Sequence, residues 1–202
     1  GLVGYTEQPL DAPASYGATL PQIKDAAANW DPADGHPTPP NLSSRPGAPV
    51  TLWIDTAGVV VSGTQWNSYY TSNAAIVAAP YDTDADPTTF SADELSAIQT
   101  MWRRVAEDWA PFNVNVTTVE PPAHKLERAD AYDTEFGVRV VVTMTDWYWA
   151  VENELFGGIA YLNRFGNAWP AWVFGTNSGV WDGTLVSEAI SHEAGHSFGL
   201  LH

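Results

Sequence analysis

His192-Glu193-Ala194-Gly195-His196-Ser197-Phe198-Gly199-Leu200-Leu201-His202 gathers three of the chain's five histidines into one short run. The residues before it, from Thr184 onward, carry a helical pattern that puts Leu185, Ala189, His192 and His196 on nearly one face. Residues four apart on a helix differ by about 40° in direction and about 6 Å in height, so His192 and His196 point into the same space. Two imidazoles placed that way occupy two corners of a tetrahedron. Glu193 stands one step round the helix, within reach of a water at that centre but too displaced to be a third ligand. A continuous helix would carry His202 about 240° round from His196 and about 9 Å further along, away from the centre. Gly199 offers the way back, because glycine adopts a left-handed helix cap without steric cost and turns the chain sharply. Three histidines leave one tetrahedral corner open, as in catalytic rather than structural zinc sites. The expectation is therefore Zn²⁺ on His192, His196 and His202, with Glu193 as the general base toward a water.

Outward from this run, the pattern reads as one sheet backed by two long helices. Ser91-Ala92-Asp93-Glu94 is a capping box opening a helix whose apolar stripe is Leu95, Ile98, Trp102, Val105 and Trp109; Pro111 ends it. Val50–Ile54, an Ala57-Gly58 turn and Val59–Val61 read as a hairpin. Asn113–Val119 alternates with period two, Val138–Met144 has the longer apolar run of a central strand, and Gly158–Leu162 and Ala171–Phe174 are two further short strands. Residues 1–49, rich in Pro, Ala, Asp and Ser, read as an extended arm with at most a helical turn near Ile23–Ala28.

Composition bounds the function classes. The 202 residues carry 24 Asp and Glu against 8 Lys and Arg, a formal net charge of −16, which repels nucleic acid and anionic membranes. Three causes of that acidity remain open: a solvated surface of a secreted protein, adaptation to salty surroundings, and bound calcium. No apolar run of about 18 residues is present, so no membrane span is expected. The N-terminal Gly-Leu-Val-Gly-Tyr has neither the basic nor the apolar region of a signal peptide. With no cysteine there is no disulfide, thiolate ligand or cysteine-based latency switch, and the compartment stays undecided.

The run HEAGHSFGLLH resembles the metzincin signature HExxHxxGxxH. Tyr81-Asp-Thr-Asp-Ala-Asp-Pro-Thr-Thr-Phe90, together with Ile98–Thr118, is similar to secreted bacterial reprolysin-like metallopeptidases. The resemblance covers roughly residues 48–202. It implies a secreted zinc-dependent endopeptidase of α+β fold, with a mixed twisted sheet, a backing helix and an active-site helix. Residues 50–202 would then be the N-terminal subdomain of the catalytic domain, ending at the third zinc ligand, and residues 1–49 an arm or pro-segment remnant. Metzincins carry a family-defining residue and a methionine turn beyond the third histidine, whereas Met101 and Met144 both lie upstream here. The expected partners are a protein or peptide substrate and a C-terminal remainder, as a covalent continuation or a separate chain. Metzincins also align substrate along an edge strand, which the resemblance places at Gly157–Leu162, with Gly157, Gly158, Ile159 and Ala160 pairing to it.

The remaining candidates are weaker. Asp82, Asp84 and Asp86 alternate like the start of a calcium loop but lack the glycine and terminal glutamate of an EF-hand, so a solvated loop competes with Ca²⁺. Asp146–Trp149 and Trp169–Trp172 suit core packing better than a sugar platform. A rival of another class is a non-catalytic assembly or adhesion module keeping a metal for structure, which a closed fourth ligand position would favour.

Overall fold

A computed structural model describes residues 2–5 (backbone only), 18–178 and 183–202. In chain order its elements are strand β1 (Leu2–Tyr5), helix α1 (Leu20–Asn29), β2 (Val50–Asp55), β3 (Val59–Val61), α2 (Gln65–Tyr70), β4 (Ile76–Ala78), α3 (Ala92–Asp108), β5 (Val114–Thr117), β6 (Phe136–Thr143), α4 (Trp147–Glu152), β7 (Gly158–Tyr161), β8 (Ala171–Phe174) and α5 (Thr184–Ser197).

Six strands form one mixed sheet in the order β1-β7-β8-β6-β2-β5. Strands β5, β2, β6 and β8 run parallel, β7 is antiparallel to β8, and β1 is antiparallel to β7. Side chains alternate across the sheet, so successive residues serve different cores. Val138, Val140 and Val142 of β6, with Ala171 and Val173 of β8, face a core shared with α1, α3 and α5. Val141, Trp172 and Phe174 face a second, aromatic core with Trp66, Trp147 and Tyr148 from α2 and α4. Trp147 meets Trp172 edge to face at 5.2 Å, so these indoles pack the interior and offer no open sugar platform. Helices on both faces explain why the parallel strands are near-continuous apolar runs.

Helix α3 begins where its capping box predicts: Glu94 N–H donates to Ser91 Oγ at 3.3 Å, and Ser91 N–H donates to Glu94 Oε2 at 2.7 Å. Its buried stripe is Ala97, Ile98, Met101 and Val105, rotated slightly from the expected one; Leu95 and Trp102 lie at the margin. Truncating Ile98 or Met101 to Ala would cost about 2–5 kcal/mol.

Two expectations are corrected. The Val50–Val61 hairpin does not form: β2 has β5 and β6 on its two sides, so β3 pairs instead with β4 in a separate two-stranded sheet. The segment before residue 50 is more than an extended arm. Thr19 and Gln22 form a capping box that starts α1, and Ile23, Ala27 and Trp30 enter the main core.

Candidate metal centre

Helix α5 is fixed along its length by α3. Arg104 Nε donates to Ser187 Oγ at 2.9 Å, Arg104 Nη2 lies 3.1 Å from Glu188, and Ser191 Oγ donates to Asp108 at 2.6 Å. At its C-terminus Gly199 has φ of +95°, the left-handed region that the sequence required of it. Gly199 N–H donates to His196 O at 2.8 Å and Leu200 N–H to Gly195 O at 3.0 Å, the paired bonds of a Schellman turn. The loop after β7 reinforces this end. Asn163 N–H donates to His196 O and Phe165 N–H to Ser197 O, while the Phe198 ring sits 3.6 Å from Phe165 and 4.8 Å from Trp109.

The turn brings the three histidines together. His192 Nε2 lies 2.8 Å from His196 Nε2 and 2.9 Å from His202 Nε2. A tetrahedral centre with Zn–N near 2.0–2.1 Å sets its nitrogens about 3.3 Å apart, so the cluster needs only a small expansion to take the ion. His196 Nδ1 lies 2.8 Å from Leu200 O, which accepts its proton and leaves Nε2 as the electron-pair donor. Burial, followed by the neighbouring His196 and His202, pushes the His192 imidazolium down to about 4, so the ring is neutral near pH 7. Among the described residues no fourth His, Cys, Asp or Glu joins this group.

Glu193, which follows His192 in α5, is fully buried, and neither carboxylate oxygen has a hydrogen-bond partner among the described residues. Burial pushes its carboxyl well above the usual carboxylate range. A buried carboxyl without partners is costly unless a ligand or water completes it, which makes it fit for proton exchange with a molecule entering the site. Gly158 of β7 lies against this side chain, a role that no local sequence signal announces.

The other predicted positions are placed as follows. Gly158, Ile159 and Ala160 lie in β7, which packs against α5, and the Gly157 carbonyl just before it accepts from Phe174 N–H and Ser178 Oγ. The outer edge of β7 is not open: β1 pairs along it, with Leu2 opposite Tyr161, Val3 opposite Ala160, Gly4 opposite Ile159 and Tyr5 opposite Gly158. In the acidic loop, Asp82 and Asp84 converge with Glu94, a residue that sequence reading had assigned to capping alone. Asp86 turns away and accepts from Thr88 and Thr89.

No family model matches the chain, and no curated protein or solved structure matches it. Among the described residues no helix is long and apolar enough to cross a membrane.

Proposed function

We propose that this chain is a zinc-dependent endopeptidase of the metzincin type, with His192, His196 and His202 as the metal ligands and Glu193 as the general base. The observation that carries this reading is the convergence of three Nε2 atoms at the end of α5, the helix whose buried Glu193 has no hydrogen-bond partner among the described residues. The donor set fits the ion: three imidazoles suit Zn²⁺ better than the hard cations that prefer oxygen. The absence of a fourth side-chain ligand among the described residues favours a catalytic over a structural role.

Bound there, zinc would supply Lewis acidity toward a water and a peptide carbonyl. The chain's residues do the rest. Leu200 O holds His196 in the tautomer that presents Nε2. Glu193 would take a proton from the attacking water and pass it to the departing amine nitrogen. The surroundings of Gly158 keep that carboxyl in one position. An extended peptide would align along β7 by strand addition, displacing β1. A secreted, extracellular setting belongs to this proposal and rests on the resemblance of the sequence alone.

The test is metal analysis paired with hydrolysis of an unstructured protein substrate. His192→Ala, His196→Ala and His202→Ala are each expected to lose zinc. Glu193→Gln is expected to keep zinc and lose at least about a hundredfold in kcat. Full zinc retention in all three histidine variants would overturn the ligand assignment, and near-normal turnover in Glu193→Gln would overturn the base.

A further inference from the structure

The loop between β4 and α3 carries a second cluster, remote in sequence from the histidines. Asp82, Asp84 and Glu94 each offer a carboxylate oxygen, and these oxygens lie within 4.8 Å of one another. Asp82 is 1% exposed and Glu94 0%, so two of the three acids are inside the protein. Among the described residues the ion pairs involve neither of them, nor Asp84. Ionised acids packed this closely without a counter-charge repel, and burial strengthens that repulsion.

The hydrogen bonds identify where the charge is left over. Asp82 Oδ1 accepts from the N–H groups of Asp84 and Ala85 at 2.9 and 2.8 Å. Glu94 Oε1 accepts from Thr83 N–H at 2.6 Å and Thr83 Oγ1 at 3.3 Å, and its Oε2 accepts from Ser91 N–H at 2.7 Å. Backbone donors thus hold both side chains in place. Asp82 Oδ2 is buried and has no hydrogen-bond partner among the described residues. A buried oxygen left unsatisfied inside a group of carboxylates marks the position of a missing positive charge.

We propose that Asp82, Asp84 and Glu94 form a calcium site that ties the loop before α3 to its first turn. The oxygen-only donor set excludes a preference for zinc, and Ca²⁺ accepts carboxylates, carbonyls and waters at 2.3–2.6 Å in flexible geometry, whereas Mg²⁺ demands a near-ideal octahedron. The sequence spacing had suggested Asp86 as a ligand; the fold supplies Glu94 in its stead, from the capping box of α3. Because α3 packs along α5, the ion would brace the helix behind the histidine cluster. This inference does not depend on the peptidase reading.

The experiment is calcium titration of the purified chain in chelator-treated buffer at neutral pH, followed by calorimetry and thermal melting. One Ca²⁺ per chain is expected, half-saturating at or below about 1 mM, with a melting temperature that rises with calcium concentration. Asp82→Asn keeps both backbone bonds to Oδ1, and Glu94→Gln keeps one of its two; each is expected to weaken binding at least about tenfold, and Asp84→Asn is the further variant should either fail to fold. Asp86→Asn should bind as wild type, and so should His192→Ala, which separates this site from the histidine cluster. No binding by the wild-type chain up to about 10 mM calcium would overturn the proposal. So would an unchanged calcium response in folded Asp82→Asn and Glu94→Gln, or its loss in Asp86→Asn alone.

Discussion

Gly158 and Glu193 touch with no room for a side chain between them: a Cβ added at Gly158 would lie 2.6 Å from Glu193 Cγ and 2.8 Å from Oε1. Trp172 O, at 2.9 Å, closes the same space from the backbone side. Strand β7 therefore works as a wall that sets where the glutamate's carboxyl can be.

Gly158→Ala should push that wall into Glu193. The methyl group cannot move toward β8 without breaking the pairing of Gly158 with Val173, so the glutamate must shift. The expected result is a fall in kcat of about tenfold or more with zinc content unchanged, since no histidine is touched. Zinc loss in step with activity would mean that the substitution disturbs α5 as a whole.

The turn at Gly199 can be tested the same way. Its φ of +95° is strained for any residue with a Cβ, and that Cβ would also lie 2.3 Å from Asn163 Oδ1. Gly199→Ala should lower stability by about 1 kcal/mol or more and weaken zinc binding, because His202 and the Leu200 carbonyl both depend on the turn. Chemical denaturation with and without zinc measures both effects. Equal zinc affinity in the variant would show that His202 reaches the cluster by another path.

The helices at the site were legible in the sequence because their signals are local. Ser91 and Glu94 announce the start of α3, the spacing of His192 and His196 announces a shared face, and Gly199 announces the turn. Strand partners are not local. Val59–Val61 follows β2 through a plausible Ala57-Gly58 turn, yet β2 is a central strand already paired on both sides. Gly58 instead serves a close approach to Pro80, where a Cβ would lie 2.7 Å from Cδ. Glu94 was hidden for a different reason: its capping role fully explained its presence, and only the fold brings Asp82 and Asp84 beside it. The pairing of β1 with β7 spans most of the chain and left no signal in either segment.

The acidic cluster predicts a pH dependence. Burial raises the Asp82 carboxyl from 3.8 to about 6, with Glu94 and Asp84 adding to the rise and the backbone donors of Asp84 and Ala85 opposing it. Burial likewise raises Glu94, toward which Thr83 and Ser91 donate. A carboxyl raised on folding stabilises the folded chain when protonated, so its contribution is full below about 4 and is lost as pH rises through about 6. In calcium-free buffer Asp82→Asn should therefore melt higher than wild type near pH 7, and the difference should close toward pH 4. Calcium should narrow the gap at pH 7 by stabilising the wild type alone. A difference independent of pH would remove Asp82 ionisation as its source.

Strand β1 leads to the last prediction. It lies antiparallel on the outer edge of β7, with Tyr5 opposite Gly158, the residue that abuts Glu193. That is the track an extended peptide would take by strand addition if the proposed activity is right. Residues 2–5 and substrate would then compete for one set of backbone groups, and the chain's own segment has the advantage of being tethered. Deleting residues 1–5 should free the edge. On the zinc-loaded Glu193→Gln variant, which holds peptide without cleaving it, the deletion should tighten binding of a labelled extended peptide several-fold by fluorescence polarisation. On the cleaving form it should lower KM and leave kcat nearly unchanged, because β1 contributes nothing to the proton transfer. Some stability should be lost with the β1–β7 bonds, and melting measures that separately. If β1 is only a sixth strand of the sheet, the deletion will lower the melting temperature and leave peptide affinity where it was.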